Sequence, residues 1–320
     1  MLSDLLSRRR ARKSSVQTED STNNSRRGFL RGFGTAAAGA AAISAFGGGR
    51  AEAADIDVAI LQFALNLEYL EAEFYYRAAY GHGLDPTMLG PNASTVTGGR
   101  QVNFTSSLIA AYAKEIADEE RKHVLFLRAA LGSSVVGRPT LDLQNSFVTL
   151  GQATGLSNNF DPFADDFSFL LGAYIFEDVG VTAYHGAAPL ITNPQYLDKA
   201  AGILAVEAYH AGLIRTVLFA NNYKTQTEAI SYLRATLDQT VNTQNLDDLG
   251  VGDVTTPRIV LASGGANGSL TGGFPSNNPP GNNAIAFDRT TRQVLNIVYG
   301  GVNATKGLFF PNGLNGTIVS

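Results

Sequence analysis

The stretch ILAVEAYHAGLI, residues 203–214, carries a glutamate and a histidine in a helical segment that is otherwise apolar on every side. Glu207 and His210 are three residues apart, so a helix projects both side chains to one face. A carboxylate buried among Leu, Val and Ile costs several kcal/mol unless it has a partner. The pair therefore needs a partner inside the protein, and a metal ion is the candidate.

A second Glu-x-x-His pair lies in IADEERKHVLFLRAA, residues 116–130. Glu120 and His123 have the same spacing, but their neighbours are more polar. Taken alone, the stretch is typical of a solvent-facing helix. Two copies on separate helices are much rarer by chance than one, so the second copy strengthens the prediction of a metal site.

Two further glutamates complete the pattern. Glu68 lies in LNLEYLEAEF, residues 65–74, and Glu177 lies in AYIFEDVG, residues 173–180. One Glu from each of two helices and Glu-x-x-His from each of two others is the ligand pattern of dinuclear iron or manganese carboxylate proteins. The predicted metal ligands are Glu68, Glu120, His123, Glu177, Glu207 and His210.

The predicted cofactor is a pair of divalent metal ions, iron or manganese, with zinc also compatible with these ligands. Four carboxylates in one core would repel one another, and two cations remove both this repulsion and the cost of burial. The chain has no cysteine, which excludes a disulfide framework, a thiolate metal site and a cysteine nucleophile.

The first of these helices offers a rival ligand. Glu71 follows Glu68 by three residues and also has apolar neighbours. We prefer Glu68 for its LNLE context and because a tyrosine follows it by seven residues, as one also follows Glu177. Other polar residues are predicted to lie outside the ligand set: His82 in a loop, His185 behind the ligands or at the surface, and Asp118 and Glu119 in solvent.

A tyrosine follows each lone glutamate by seven residues, Tyr75 after Glu68 and Tyr184 after Glu177. Seven residues is close to two helical turns, so each tyrosine shares a face with its glutamate. The two halves of the chain thus resemble a duplicated helix pair. Both tyrosines are candidate catalytic residues, as hydrogen-bond donors or oxidisable groups beside the metals; the alternative is a core tyrosine with a satisfied hydroxyl.

Hydrophobic periodicity predicts four long helices between clusters of Gly, Pro and Asn. Asp161 and Asn193 are predicted to cap the third and fourth helices, each before a proline at the first helical position. About thirty residues separate the second helix from the third, and two antiparallel pairs with a long crossover are the all-α arrangement of ferritin-like four-helix bundles. The helices are predicted at 56–81, 104–132, 162–188 and 193–220, in a bundle domain of residues 55–224.

Residues 225–320 are predicted to form a C-terminal, loop-rich extension packed on the bundle. A shorter helix is predicted at 227–240, followed by a Gly/Asn/Pro-rich stretch at 246–286. Another helix is predicted after an Asp288 cap, and the end of the chain is predicted to be extended or rich in turns.

Residues 1–54 are predicted to be a twin-arginine signal peptide with a disordered leader. The twin arginine stands at 26–27, an Ala/Gly-rich apolar run follows, and an A-x-A motif lies at 51–53. The apolar run is too short and too rich in glycine for a stable membrane span; an Ala-rich helix or a membrane anchor is the alternative. We therefore expect cleavage after residue 53 or 54, the twin-arginine translocase as a partner during export, and a periplasmic or otherwise extracytoplasmic protein.

The charge of the remaining chain is acidic. Of 24 basic and 28 acidic residues, nine and four lie in residues 1–54, which leaves 15 and 24 beyond them and a net charge of −9. Such a chain binds nucleic acid poorly. The predicted partners are metal ions and small oxidants.

The sequence resembles a known family along nearly the whole mature chain. The matching motifs are the two Glu-x-x-His helices, LNLEYLEAEFYYRA at 65–78, EDVGVTAYHGAA at 177–188, RTTRQVLNIVYGG at 289–301 and GLFFPNGLNG at 307–316. They resemble the ferritin-like proteins related to the plant desiccation-related protein.

This resemblance implies a ferritin-like bundle with two metals. It implies that Glu120 and Glu207 bridge the metals, and that the two ligand sets are Glu68, Glu120 and His123, and Glu177, Glu207 and His210. It assigns no reaction, because a fold does not specify function. The functions to test are an exported di-metal protein that oxidises Fe(II) or consumes peroxide or oxygen under stress, and a non-catalytic structural or desiccation-protective bundle.

Overall fold

The computed structural model describes residues 49–239, 248–252 and 286–320, with side chains from Asp55 onward. These residues form seven α-helices and one pair of two-residue parallel strands. The helices are α1 Gly49–Tyr80, α2 Ser107–Leu131, α3 Asn145–Thr154, α4 Asp166–Ala187, α5 Pro194–Ala220, α6 Lys224–Leu237 and α7 Thr291–Tyr299. The strands are β1 Val96–Thr97 and β2 Leu141–Asp142, paired in parallel.

The helices α1, α2, α4 and α5 form the predicted four-helix bundle. The helix α1 packs along α2, and α4 packs along α5. Each pair is antiparallel, since Gln62 near the start of α1 bonds to Ser134 beyond the end of α2, and Tyr174 early in α4 accepts a bond from Arg215 late in α5. Residues 132–165 cross from one pair to the other, which confirms the all-α bundle with a long crossover.

The third bundle helix begins later than predicted. Its first residue is Asp166 rather than Pro162, and Asp165 rather than Asp161 caps it by accepting hydrogen bonds from two N–H groups of the first turn. The carboxylate of Asp166 also accepts hydrogen bonds from the loop before α2, which fixes the start of the helix here. Asp161 instead closes an earlier turn by accepting the N–H of Phe163.

The other bundle helices follow the expected end signals more closely. Asn193 caps α5 by accepting the N–H of Gln195 at 2.9 Å, with Pro194 in the first turn, as predicted. Ser106 caps α2. The helix α1 begins at Gly49, seven residues before its predicted start, so the predicted cleavage point lies within its first turns.

The crossover contains a helix that the sequence analysis missed. The helix α3 has only ten residues and no side-chain cap, so its local signals are weak. It forms where Phe147 is fully buried against the aromatic rings of Phe74 and Phe309. Burial of a large aromatic side chain contributes about 1.5–3 kcal/mol, so tertiary packing stabilises this short helix.

The C-terminal extension packs on the bundle through α6 and α7. Thr290, not Asp288, caps α7, where it forms a capping box with Gln293. Asp288 is exposed, and Arg289 between the two residues is buried. The helix predicted at 227–240 is confirmed as α6, the end of the chain is rich in turns, and most of the stretch at 246–286 lies outside the described residues.

A buried ion network ties this extension to the bundle. Arg289 donates to Asp238 and Asp248, both at 2.7 Å. Arg234 donates to Asp248 at 2.7 Å and to Asp178 at 2.8 Å. The network consists of Arg215, Arg234, Arg289, Asp178, Asp238 and Asp248, all at most 3% exposed. Since Asp178 follows Glu177 in α4, the network also holds the helix that carries one predicted ligand.

Among the described residues, α5 alone has the length and apolar composition that would allow a helix to cross a membrane. It is one of the four bundle helices. Its face towards the other helices carries buried Glu207, His210 and Arg215, and these side chains contact partners on α2 and α4.

Candidate metal centre

All six predicted ligands are buried in one layer across the bundle. Their ligand atoms form two groups, within each of which the atoms lie no more than 4.8 Å apart. The groups are Glu68, Glu120, His123 and Glu207, and Glu120, Glu177 and His210. Glu120 belongs to both, as expected of a bridging carboxylate. Glu207 joins the group of Glu68 and His123, which differs from the grouping that the family resemblance implies.

His123 faces the first group through one ring nitrogen. Its Nδ1 lies 3.2 Å from an oxygen of Glu68, 3.4 Å from Glu120 and 3.6 Å from Glu207. Three carboxylates from three different helices therefore converge on a single imidazole nitrogen. Such an arrangement of hard oxygens and one imidazole suits iron, manganese or zinc.

His210 faces the second group in the same way. Its Nδ1 lies 3.1 Å from Glu120 and 3.4 Å from Glu177. On the other side of the ring, Nε2 lies 2.7 Å from Glu119. The prediction that Glu119 is solvated is therefore wrong: its side chain is 30% exposed and contacts the outer nitrogen of His210. The signal available in the sequence was its position directly before Glu120.

The centre contains buried polar atoms without hydrogen bonds. Within the described part of the chain, both oxygens of Glu120, both oxygens of Glu207, one oxygen of Glu177 and Nδ1 of His210 have no hydrogen-bond partner. Buried polar groups are almost always satisfied, and an exception requires an explanation such as an ion. These atoms face one another across the bundle, so the donor set fits a pair of metal cations.

The two tyrosines lie at the centre, each bonded to a glutamate of the opposite helix. The hydroxyl of Tyr75 donates to Glu177, and the hydroxyl of Tyr184 donates to Glu68. Neither bonds to the glutamate seven residues before it. A separation of seven residues places two side chains about 10 Å apart along a helix, so each phenol reaches across to the neighbouring helix instead.

Glu71, the rival of Glu68, also lies at the edge of the centre. It is 6% exposed, and its carboxylate interacts with those of Glu120 and Glu177. It belongs to neither group of converging ligand atoms, whereas Glu68 does. The structure therefore places Glu68 in the ligand position and adds Glu71 as a fifth buried carboxylate beside it.

Gly180 leaves room for a ligand. A Cβ atom at this position would lie 2.3 Å from Oε2 of Glu207 and 3.6 Å from Oε1 of Glu71. Because Gly180 is one turn after Glu177 on α4, the missing side chain lets the α5 carboxylate approach the α4 backbone. This role of Gly180 was not predicted from the sequence.

The centre strongly favours added positive charge. Burial alone would lower the pKa of His123, but the carboxylates of Glu68 and Glu120 raise that pKa to about 12. Burial would likewise lower the pKa of His210, but Glu177 and Glu120 raise it well above its ordinary value. Burial and the neighbouring carboxylates raise the pKa of Glu207 well above its ordinary value. Either protons or metal cations supply this positive charge.

The remaining two histidines are not at the centre. His185 is half-buried, and its Nδ1 lies 3.3 Å from the carbonyl oxygen of Phe287. His82 is exposed in the loop after α1 and stacks on Tyr80. Both positions agree with the roles predicted for them.

Comparison with known proteins places these features in a family. The ferritin-like domain family matches residues 56–220, which span the four bundle helices. The desiccation-related protein PCC13-62 of Craterostigma plantagineum is 36% identical over 255 residues, which cover 75% of this chain and 76% of the relative. The ferritin-like catalase Nec2 of Nesocodon mauritianus is 31% identical over 283 residues, 82% and 85% of the two chains. No solved structure shows significant similarity.

Proposed function

This chain belongs to the ferritin-like domain family, and from that premise we propose that it is an exported protein that binds two iron or manganese ions and consumes peroxide or oxygen, or oxidises Fe(II), in protection against stress. The observation that carries the proposal is the set of buried oxygens without hydrogen bonds on Glu120, Glu177 and Glu207. The name of the relative Nec2, a ferritin-like catalase, supports the peroxide-consuming form.

The residues of the chain would hold the metals in the two overlapping groups. Glu120 would contact both ions, and His123 and His210 would each hold one through Nδ1. When bound, two redox-active ions supply the capacity to store and return two electrons. Glu119 would accept the Nε2 proton of His210, and a carboxylate in this position fixes the tautomer and the orientation of a ligand histidine.

The tyrosines and the apolar core would prepare the site for small oxidants. Tyr75 and Tyr184 hold Glu177 and Glu68 in place by donating hydrogen bonds to them. A hydroxyl that released its glutamate would have its single proton available for a bound oxidant. The aromatic side chains around Phe74 and Phe169 exclude water from this side of the centre, and exclusion of water strengthens every electrostatic contact inside it.

Both reactions balance in atoms and electrons. In peroxide consumption, one hydrogen peroxide gives up two electrons and two protons and leaves as dioxygen. A second takes them up, its O–O bond breaks, and it leaves as two water molecules. In Fe(II) oxidation, two Fe(II) ions give up one electron each, and dioxygen takes both electrons with two protons to become hydrogen peroxide.

Metal content and turnover of the purified protein test this function. We expect about two metal ions per chain after loading with Mn(II) or Fe(II). We also expect dioxygen evolution from hydrogen peroxide, or dioxygen consumption with Fe(II), measured with an oxygen electrode. Protein that holds both metals and performs neither reaction would refute the proposal.

The alternative is a non-catalytic protective bundle, which the name of the desiccation-related relative favours. In that case metals would only stabilise the fold. Chelation would then lower the melting temperature, and no peroxide or Fe(II) oxidation activity would be measured. Turnover of peroxide by the metal-loaded protein would exclude this alternative.

Export by the twin-arginine route is part of the proposal and rests on the sequence of residues 1–54. Export is tested by N-terminal sequencing of the protein isolated from an extracytoplasmic fraction. We expect the mature chain to start at residue 54 or 55. An intact N-terminus on cytoplasmic protein would refute export.

Gly180→Ala is expected to reduce metal binding by at least tenfold. The added methyl group collides with Glu207 and forces its carboxylate away from the first group of ligands. Isothermal titration with Mn(II) measures the effect. Gly212→Ala is the matched control, because a Cβ atom at Gly212 on α5 meets nothing within 4 Å. Equal affinities of the two variants would contradict the role of Gly180.

Glu119→Gln is expected to weaken the binding of one metal ion of the two by about 10–100-fold. Among the predicted metal ligands of the described chain, Glu119 contacts His210, so the ion held by His123 should keep its affinity. A two-step titration with Mn(II) resolves the two ions. Glu115→Gln, at an exposed position one turn earlier on α2, is the control. A uniform loss at both steps would contradict this assignment.

A further inference from the structure

An apolar cavity of about 30 Å³ lies between the bundle helices. All four bundle helices contribute to its wall, and the first residue of α7 closes one side. The wall includes Ala64, Leu127, Tyr184, Ala200, Ile203 and Thr291. None of the six predicted metal ligands lines this space.

The cavity adjoins the layer of predicted ligands. Ala64 stands one turn before Glu68 on α1, and Ile203 stands one turn before Glu207 on α5. On α2, Leu127 is one turn after the ligand histidine. Residues four apart in a helix lie one above the other on the same face, so the cavity is the next layer of the bundle beyond the ligands.

Tyr184 forms the boundary between the cavity and the centre. Its side chain lines the cavity, and its hydroxyl donates to Glu68. The wall also includes three half-buried residues, Leu67, Phe126 and Ala187, which connect the cavity with the surface of the bundle. A small molecule in the cavity would thus lie between the surface of the bundle and a residue that contacts a predicted ligand.

The chemistry of the wall selects an apolar occupant. Apart from Tyr184 and Thr291, every wall residue is aliphatic or phenylalanine. A water molecule needs roughly 10–15 Å³ of such space and two to four polar partners. Since the Tyr184 hydroxyl already donates its proton to Glu68, the cavity has the room but too few polar partners for water, peroxide or a hydrated cation. Apolar cavities of this kind stay dry and accept small apolar molecules such as xenon.

We propose that this cavity is a dioxygen-binding site next to the metal centre, and that dioxygen passes between the cavity and the centre beside Tyr184. The proposal rests on the proposed function, because dioxygen is the substrate of Fe(II) oxidation and the product of peroxide consumption. Dioxygen is an apolar diatomic molecule, so the wall accepts it in either direction. Peroxide and cations must reach the centre by another path.

Xenon binding tests the site without any reaction. We expect a xenon atom in the cavity in pressurised crystals or by xenon NMR of the full chain. Ala200→Leu should abolish it by filling the space from α5, and Ala64→Val should weaken it from α1 if the first variant folds poorly. Ala201→Leu, on the exposed face of the same helix, is the matched control. Absence of xenon from the wild-type cavity would overturn the proposal.

Oxygen kinetics of the same variants test the link to the centre. With Fe(II), Ala200→Leu should raise the KM for dioxygen about tenfold with little change in kcat, which identifies dioxygen as a substrate. Slower dioxygen evolution from peroxide would identify it as a product. Unchanged rates of both reactions in both variants would overturn the link. Xenon binding in a protein that performs neither reaction would reject the proposed function and leave the binding site standing.

Discussion

Glu120→Ala is expected to abolish binding of both metal ions, whereas the loss of any other single ligand should affect one ion more than the other. Glu120 is the one residue shared by the two groups of converging ligand atoms among the described residues. Both of its oxygens are buried without hydrogen bonds, and they face His123 at 3.4 Å and His210 at 3.1 Å. Its removal would take one candidate oxygen ligand from each of the two proposed ions at once.

Metal analysis after loading and gel filtration measures this effect. We expect about two ions per chain in the wild type and less than about a tenth of that content in the variant. Glu115→Ala, on the exposed face of the same helix, is the control and should keep the full content. Removal of Glu120 lowers the repulsion among buried carboxylates, so the variant should fold, which circular dichroism checks. Full metal content in Glu120→Ala would show that the centre does not bind metal as proposed.

Asp248→Asn is expected to lower the free energy of unfolding by about 3–5 kcal/mol, the cost of breaking a buried ion pair by the removal of one partner. Asp248 accepts hydrogen bonds from both Arg234 and Arg289. The asparagine keeps the shape but leaves these buried guanidinium groups short of one negative charge. Urea unfolding of the metal-free protein measures the loss without any contribution from the centre.

The control and the pH dependence sharpen this prediction. Asp198→Asn removes a carboxylate that is 72% exposed in its pair with Lys199. This control variant should change the free energy of unfolding by less than about 0.5 kcal/mol.

The pH dependence gives a second test. Burial alone would raise the pKa of Asp248, but Arg234 and Arg289 lower it to about 2. Its contribution is therefore complete above about pH 4 and is lost as the pH falls through about 2. If Asp248→Asn and the wild type lost stability equally over this range, the network would not be the cause.

The helices and the ligands were largely predictable because their signals are local. Asn193 followed by proline predicted the start of α5 correctly, since capping and the fixed backbone angle of proline act within one turn. The same signal failed at Asp161, because the loop before α2 holds Asp166 and moves the start of α4. The short helix α3 has no strong local signal and depends on burial of Phe147.

The partners of the ligands were less predictable because they join different helices. Glu119 follows the helical pattern of a solvated residue, and only the approach of α5 to α2 places it against His210. Likewise, the sequence pairs Tyr75 with Glu68, whereas the bundle pairs Tyr75 with Glu177. Glycine at position 180 has no evident purpose in the sequence, and only the position of Glu207 explains it.

By itself, the sequence determined the four-helix bundle and the burial of the six predicted ligands, since both depend on helical periodicity and on the cost of burying a charge. The tertiary structure alone decided that Glu207 joins the group of Glu68 and His123 and that the tyrosines bond across the bundle. The tertiary structure also decided that an apolar cavity adjoins the ligand layer beyond Tyr184. These features depend on contacts between side chains of separate helices. A helical pattern in the sequence specifies on which face of its helix a residue lies, but not which residues of other helices contact that face.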